Sequence, residues 1–301
     1  MLKEREIFSE DFFIFQQSKV FEYPILPEPP CLTHPDGSIR QNDKAKVSVI
    51  LQNESTSVTT PSVITNAVID GMFLVNSDSN VSPMLAGIAR SIFRRALELT
   101  NHRADLCFDV YESPGIKDVK KIERGNLATE LIFSFGPGQK TPSNFTEMLK
   151  LDAFKKEFLR FLVKEFENPE YAFILGEKVL YCSVDNECKK CYAVDGILKI
   201  ENVEELYGYH LEADTRVMFH VMHADKENSG NIIVGGTDTD IFVILVANAF
   251  KMENKIWFDT ELDHDNSRKY VDIKAISENI EYARALPGIC IYRYRLYSSL
   301  L

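Results

Sequence analysis

Three times in this chain a short apolar run ends on an acidic residue. Val63-Ile64-Thr65-Asn66-Ala67-Val68-Ile69 runs into Asp70-Gly71, residues 104–108 run into Asp109, and Asn231-Ile232-Ile233-Val234 passes through Gly235-Gly236-Thr237 into Asp238 and Asp240. Runs of this length, rich in Val and Ile and closed by turn residues, predict strands buried on both faces. The sequence between them is helical in its spacing. Residues 83–100 place Leu85, Ile88, Ala89, Ile92, Phe93 and Ala96 three and four apart, with Arg90, Arg94 and Arg95 elsewhere on the surface. Residues 212–226 put Ala213, Val217, Val221 and Ala224 on one side and stop at Ser229-Gly230, and residues 241–250 form an apolar helix. Lys255-Ile256-Trp257-Phe258 and Tyr270-Val271-Asp272-Ile273 predict further strands, with a helix beginning near Lys274. Strands alternating with helices specify an α/β fold with a mostly parallel central sheet flanked by helices. In an open sheet of that kind ligands bind at the carboxyl ends of the strands, where the acids fall.

Charge and composition narrow the class further. Lys and Arg number 34 against 45 Asp and Glu, giving a net charge of −11 over 301 residues, which argues against coating nucleic acid through bulk charge but leaves room for an acidic site that holds cations. There is no run of eighteen apolar residues, and Met1-Leu2-Lys3-Glu4-Arg5-Glu6 carries both signs of charge without a following apolar stretch. Membrane spanning and a signal peptide are disfavoured, so an intracellular location is expected. Six cysteines, Cys31, Cys107, Cys182, Cys188, Cys191 and Cys290, are sparse and read as reduced. Cys182, Cys188 and Cys191 contain one CxxC and have His210 nearby, so a structural zinc is one reading. Ordinary cysteines in a charged hairpin is the other, favoured because a second CxxC at the usual interval is missing.

Residues 1–62 read as an N-terminal extension: Pro24, Pro27, Pro29 and Pro30 crowd one stretch and residues 53–62 are rich in Ser and Thr. Residues 115–209 are less regular than the rest. From Gly115 to Lys164 ten Lys or Arg face six Asp or Glu, so this stretch alone is net positive. Within it residues 152–166 predict a helix, and its aromatic stripe, Phe154, Phe158, Phe161 and Phe166, reads as core before it reads as a base-stacking platform.

The acids carry the chemistry. Asp238 and Asp240 are two apart, so in an extended turn both can face one way. Glu212 and Asp214 repeat that spacing at a helix start, where acids are also common as simple partners of the helix dipole, and they converge only if Glu212 precedes or opens the first turn. Converged carboxylates repel unless a proton or cation neutralises them, and hard oxygen ligands suit Mg²⁺ or Mn²⁺. Two such ions about 4 Å apart activate a water, hold a scissile phosphate and stabilise the leaving oxygen. Lys117 and Arg124, seven apart and hence on one helix face, with Lys120 and Lys121 between them, would draw a nucleic-acid backbone toward the acids, although charge alone equally describes a solvated basic helix.

The ordered set Ile69-Asp70-Gly71, Cys107-Phe108-Asp109-Val110-Tyr111, Glu212-Ala213-Asp214-Thr215 and Thr237-Asp238-Thr239-Asp240 resembles the PIN-like nuclease fold of flap endonucleases, and more closely a multicopy animal family of that fold linked to mobile elements. The resemblance spans residues 63–288. It implies a three-layer PIN-like domain in which Asp70, Asp109, Glu212, Asp214, Asp238 and Asp240 are the catalytic metal ligands, with two Mg²⁺ or Mn²⁺ ions if the site is complete. It further implies that residues 115–209 take the place of the helical arch, that Lys117, Lys120, Lys121 and Arg124 bind nucleic acid, and that DNA or RNA is the substrate. A nuclear location follows from the resemblance alone. The sequence departs from the family after Ala285-Leu286-Pro287-Gly288: the relatives continue to Gly-Cys-Asp, whereas here Ile289-Cys290-Ile291-Tyr292 opens a divergent tail, residues 289–301. That pattern reads as a C-terminally truncated copy with activity impaired by the missing acid.

Two alternatives stand beside the nuclease. One is a catalytically inactive PIN-like module that binds nucleic acid or a protein. The other is an Asp-nucleophile phosphohydrolase built on Asp238-Thr239-Asp240, which lacks the expected Thr after the acids and a placed Lys partner. His220 and His223, three apart on one helix, read as one packed and one solvated imidazole, with approach to a metal or phosphate the competing reading. No spacing in the sequence argues for a Ser-His-Asp triad.

Overall fold

The computed structural model describes residues 61, 63–77, 81–111, 133–208, 213–227, 230–259 and 270–279. In chain order these form β1 (Ile64–Asp70), α1 (Gly71–Asn76), α2 (Leu85–Glu98), β2 (Arg103–Cys107), α3 (Phe145–Met148), α4 (Asp152–Glu165), α5 (Tyr171–Leu175), β3 (Val179–Val184), β4 (Glu187–Val194), β5 (Ile197–Asn202), α6 (Ala213–Glu227), β6 (Asn231–Gly235), α7 (Thr239–Asn248), β7 (Ile256–Asp259), β8 (Tyr270–Asp272) and α8 (Ile273–Asn279). The eight strands make one sheet in the order β5-β4-β3-β2-β1-β6-β7-β8. Five of them, β3, β2, β1, β6 and β7, pair in parallel, while β4, β5 and β8 are antiparallel additions at the two edges. The fold is α/β with a mostly parallel central sheet packed against helices.

Period-two alternation in the central strands feeds two cores. On β1, Ala67 and Ile69 join a cluster with α2, α4 and α5, while Val68 joins one with α6, α7 and α8 on the opposite face. The aromatic stripe of α4 belongs to the first core: Phe154, Phe158 and Phe161 are buried, and Phe154 and Phe158 meet Phe145 and Phe135 edge to face. Each such ring contributes about 1.5–3 kcal/mol by burial.

Within the irregular segment at about 115–209, residues 179–202 extend the sheet rather than leave it. β3 pairs in parallel with β2, and β4 and β5 follow as two tight hairpins. The second hairpin turns on Asp195 (φ 52°) and Gly196 (φ 74°), two consecutive left-handed residues that match the right-handed twist of the flanking strands.

The zinc reading fails on this geometry. Cys182 and Cys191 enter the core under α4 and α5, whereas Cys188, opposite Ser183, points to the other face beside Tyr181 and Leu206. All three are buried free thiols, and burial pushes Cys188 and Cys191 up to about 12, so they are protonated rather than poised as ligands. His210, Cys31 and Cys290 lie outside the described residues, as do residues 1–60 and the tail after residue 279. No helix among the described residues is long and apolar enough to cross a membrane.

Candidate metal centre

The chain leaves β1 toward β2 on one side and leaves β6 toward β7 on the other, so the crevice between the carboxyl ends of β1 and β6 is the topological switch point of the sheet. Asp70 closes β1, and Asp238 follows β6 on the neighbouring strand, where Ile69 lies in register with Gly235. Asp109 follows β2 on the other flank of β1.

Each acid is fixed by its own local chemistry. Asp70 caps α1, its Oδ1 accepting from the amides of Met72 (2.9 Å) and Phe73 (3.3 Å). Asp238 caps α7, accepting from the Asp240 amide at 2.9 Å, which holds the Asp238-Thr239-Asp240 turn in shape. The Asp109 Oδ1 accepts from the Ala213 amide at 2.6 Å and so ties the start of α6 to the end of β2. That bond brings Asp214, in the first turn of α6, to the same edge. Asp214, Asp238 and Asp240 each offer a carboxylate oxygen, all within 4.8 Å of one another, and this is the candidate ion-holding group among the described residues.

Electrostatics connect the remaining acids to this group. Burial pushes the Asp70 carboxyl up to about 6, with the charges of Asp109 and Asp238 adding to the rise against the opposing effect of its two amide donors. The donor set is carboxylate throughout, which suits a hard, oxygen-seeking cation rather than a thiolate- or imidazole-seeking metal.

Four neighbours gain a role from the structure. Gly71 has no room for a side chain: a Cβ there would lie 2.2 Å from the Phe108 ring, immediately before Asp109. The Arg216 guanidinium, buried on α6, donates to the Phe108 carbonyl at 2.9 Å and to the carbonyl of Asp185, bracing the turn that carries Asp109. The Tyr111 hydroxyl reaches Asp109 Oδ2 at 3.4 Å, and Lys155 Nζ, paired with Asp152 at 3.2 Å, lies 4.7 Å above the Tyr111 ring. Tyr111 was within a recognisable motif, but nothing in the spacing of Arg216 or Lys155 announces their position. Glu212, Lys117, Lys120, Lys121 and Arg124 lie outside the described residues.

A second polar cluster sits inside the molecule. Arg103, fully buried on β2, makes a two-pronged pair with Asp105 (2.7 Å each) and reaches His223 Nδ1 (2.9 Å) and Glu227 (2.6 Å). His220 Nδ1 meets Asp105 at 2.7 Å and its Nε2 meets Ser183 Oγ at 2.7 Å. A Ser-His-Asp contact series is therefore present, although no sequence spacing signals it. Ser183, His220 and Asp105 are at most 1% exposed, so no substrate reaches the hydroxyl and the series is architectural. Burial lowers the pKa of His220, which keeps the ring neutral, with Nδ1–H donating to Asp105 and Nε2 accepting from Ser183. His220 is thus the packed imidazole. His223 is mostly buried against Arg103 rather than solvated, and neither histidine belongs to the aspartate group.

No protein-family model matches the chain, and no curated protein matches it. What fold and site define together is an α/β protein with three aspartates grouped so that they could hold a metal ion at the carboxyl edge of its sheet.

Proposed function

We propose that this chain is a PIN-like, Mg²⁺- or Mn²⁺-dependent nuclease acting on the phosphodiester bonds of DNA or RNA. The observation that carries the reading is the grouping of Asp214, Asp238 and Asp240 within 4.8 Å at the switch point, with Asp70 and Asp109 electrostatically coupled to it. Like charges brought this close repel one another, and a bound divalent ion would relieve that repulsion while supplying Lewis-acid polarisation of a phosphate and a low-pKa water. The residues of the chain have simpler tasks. Asp214, Asp238 and Asp240 hold the cation, Asp70 and Asp109 add negative charge behind it, and the Ala213 amide and Arg216 fix Asp109 in place. Glu212 completes the acid set in this reading, and Lys117, Lys120, Lys121 and Arg124 attract the strand.

A second reading rests on one specific observation: Ile289-Cys290 stands where the resembled family continues toward Gly-Cys-Asp. A site short of that acid would bind a cation and nucleic acid without cutting. Incubating the full chain with flap, single-stranded and duplex oligonucleotides in Mg²⁺ or Mn²⁺, beside Asp238→Ala and Asp240→Ala, separates the two. Cutting that disappears in both variants supports the nuclease. Binding without cutting supports the inactive module, and neither binding nor cutting removes both.

A further inference from the structure

Among the described residues the sheet ends at β5, a six-residue strand with no strand beyond it in the eight-strand order. The phase of its hydrogen bonds is fixed from the Asp195-Gly196 turn: Val194 pairs with Ile197 across the two turn residues, and the Val203 amide donates to the Cys188 carbonyl at 2.9 Å. Odd-numbered residues of the strand therefore turn their amides and carbonyls toward β4. Leu198, Ile200 and Asn202 turn theirs outward, to the open edge.

We propose that this edge pairs with the same strand of a second copy of the chain, antiparallel about a two-fold axis at Ile200, joining two sheets into one. The register is selected by charge. Three two-fold registers are compatible with short β5 overlap: centred on Lys199 the axis places two lysines opposite each other, and centred on Glu201 it places two glutamates opposite each other. Centred on Ile200 it sets Lys199 of each copy against Glu201 of the other, twice, and like charges directly opposite are destabilising where opposite ones are favourable. All three registers keep the outward amides and carbonyls in phase, and the one centred on Ile200 makes the most bonds, because Ile200 opposes Ile200 on the axis and Leu198 opposes Asn202 on either side of it. Lys199 and Glu201 then occupy the non-hydrogen-bonded positions, where side chains approach most closely.

Apolar surface accompanies the strand. Leu198 faces the core under α5, Ile200 shares that face and is 37% exposed, and α5, packed against β4 and β5, carries Phe173 at 94% exposure. Ile197, at 60%, is exposed on the opposite face. A strand of six residues is short for a stable interface of about 1,200 Å² or more, and Phe173 from each copy adds area on the face where the two Ile200 side chains meet. An exposed apolar edge of this kind is ordinarily blunted or occupied, and the charge pattern here is self-complementary rather than uniformly repulsive.

Sedimentation of the full chain over a range of micromolar concentrations tests this directly. A concentration-dependent dimer is expected. Lys199→Glu and Glu201→Lys, both on exposed positions, each convert two attractions into repulsions and weaken association by about tenfold or more. The double variant carrying both substitutions restores it. Ile200→Pro, which removes an amide that faces the outer edge and bonds nothing among the described residues, abolishes the dimer while leaving the circular dichroism and melting of the monomer close to those of the parent. A parent chain that sediments as a monomer throughout assigns the edge to another occupant and overturns the proposal, as does a dimer indifferent to the single charge reversals or one that the double reversal fails to restore.

Discussion

Two charged clusters lie on either side of α6, and they are built on opposite principles. Along the helix flank facing β2 and β3, Arg103, Asp105, His220 and Ser183 are buried together, opposite charges meet at 2.7 Å, and every charged group has its partners within the fold. At the amino end of the same helix, Asp214 joins Asp238 and Asp240 in a half-open group of one sign, and beside it burial, with the charges of Asp109 and Asp238 adding, raises the pKa of Asp70. The first cluster is complete in itself and acts on the fold. The second gathers three carboxylates of one sign within 4.8 Å of one another and could hold a metal ion.

Breaking the complete cluster has the largest expected effect. Asp105→Ala leaves the buried Arg103 with Glu227 as its remaining carboxylate and lowers the stability of the fold by about 3–5 kcal/mol, read from the urea midpoint. Next comes the aspartate cluster: Asp238→Ala with Asp240→Ala cuts Mg²⁺-dependent cleavage by about 100-fold or more, the several kcal/mol that metal ions contribute to phosphate chemistry. Its effect on metal-free stability stays within about 1 kcal/mol, because the lost cap of α7 is offset by relief of repulsion.

Asp70 sharpens the comparison through pH. The folded carboxyl is pushed up to about 6 from an ordinary value of 3.8, so between roughly pH 4 and 6 the native chain holds a proton that the unfolded chain has released. Metal-free stability therefore falls as pH rises through that window, by about 2–3 kcal/mol in total, and remains lower above it. Asp70→Asn, which keeps an oxygen to cap α1, removes that slope and melts higher than the parent at pH 7 without metal. Mg²⁺ raises the melting temperature of the parent at pH 7 and has much less effect near pH 4.5. Gly71→Ala, whose Cβ would lie 2.2 Å from the buried Phe108 ring, costs about 1–3 kcal/mol. Because Phe108 precedes Asp109, that variant also weakens metal binding, a change that melting alone does not report.

Much of the parallel centre is legible: β1 and β6 are Val- and Ile-rich runs, β2 and β7 are short runs at the expected places, and only β3 goes unread; α2, α4 and α6 begin and end within two residues of the positions read from the sequence. The antiparallel edge was less so. β4 and β5 are rich in Lys and Glu and half exposed, so their alternation is weak, and the Asp195-Gly196 turn was the one strong local signal for the hairpin. At the candidate site, the aspartates could be read from strand ends, a local feature. Arg216 and Gly71 could not, because what matters about them is a carbonyl on another element and a ring packed where a Cβ would be. The buried Ser183-His220-Asp105 series escaped for the same reason: its members come from three elements far apart in the chain, and no spacing records their meeting.

The most direct measurement is a calorimetric titration of Mn²⁺ into the full chain at pH 7, repeated with the Asp238→Ala, Asp240→Ala double variant. Saturable binding to the parent that is lost in a folded double variant is the predicted result. A folded parent that takes up no ion, or a double variant that binds as well as the parent, would contradict the assignment of these aspartates to a metal centre.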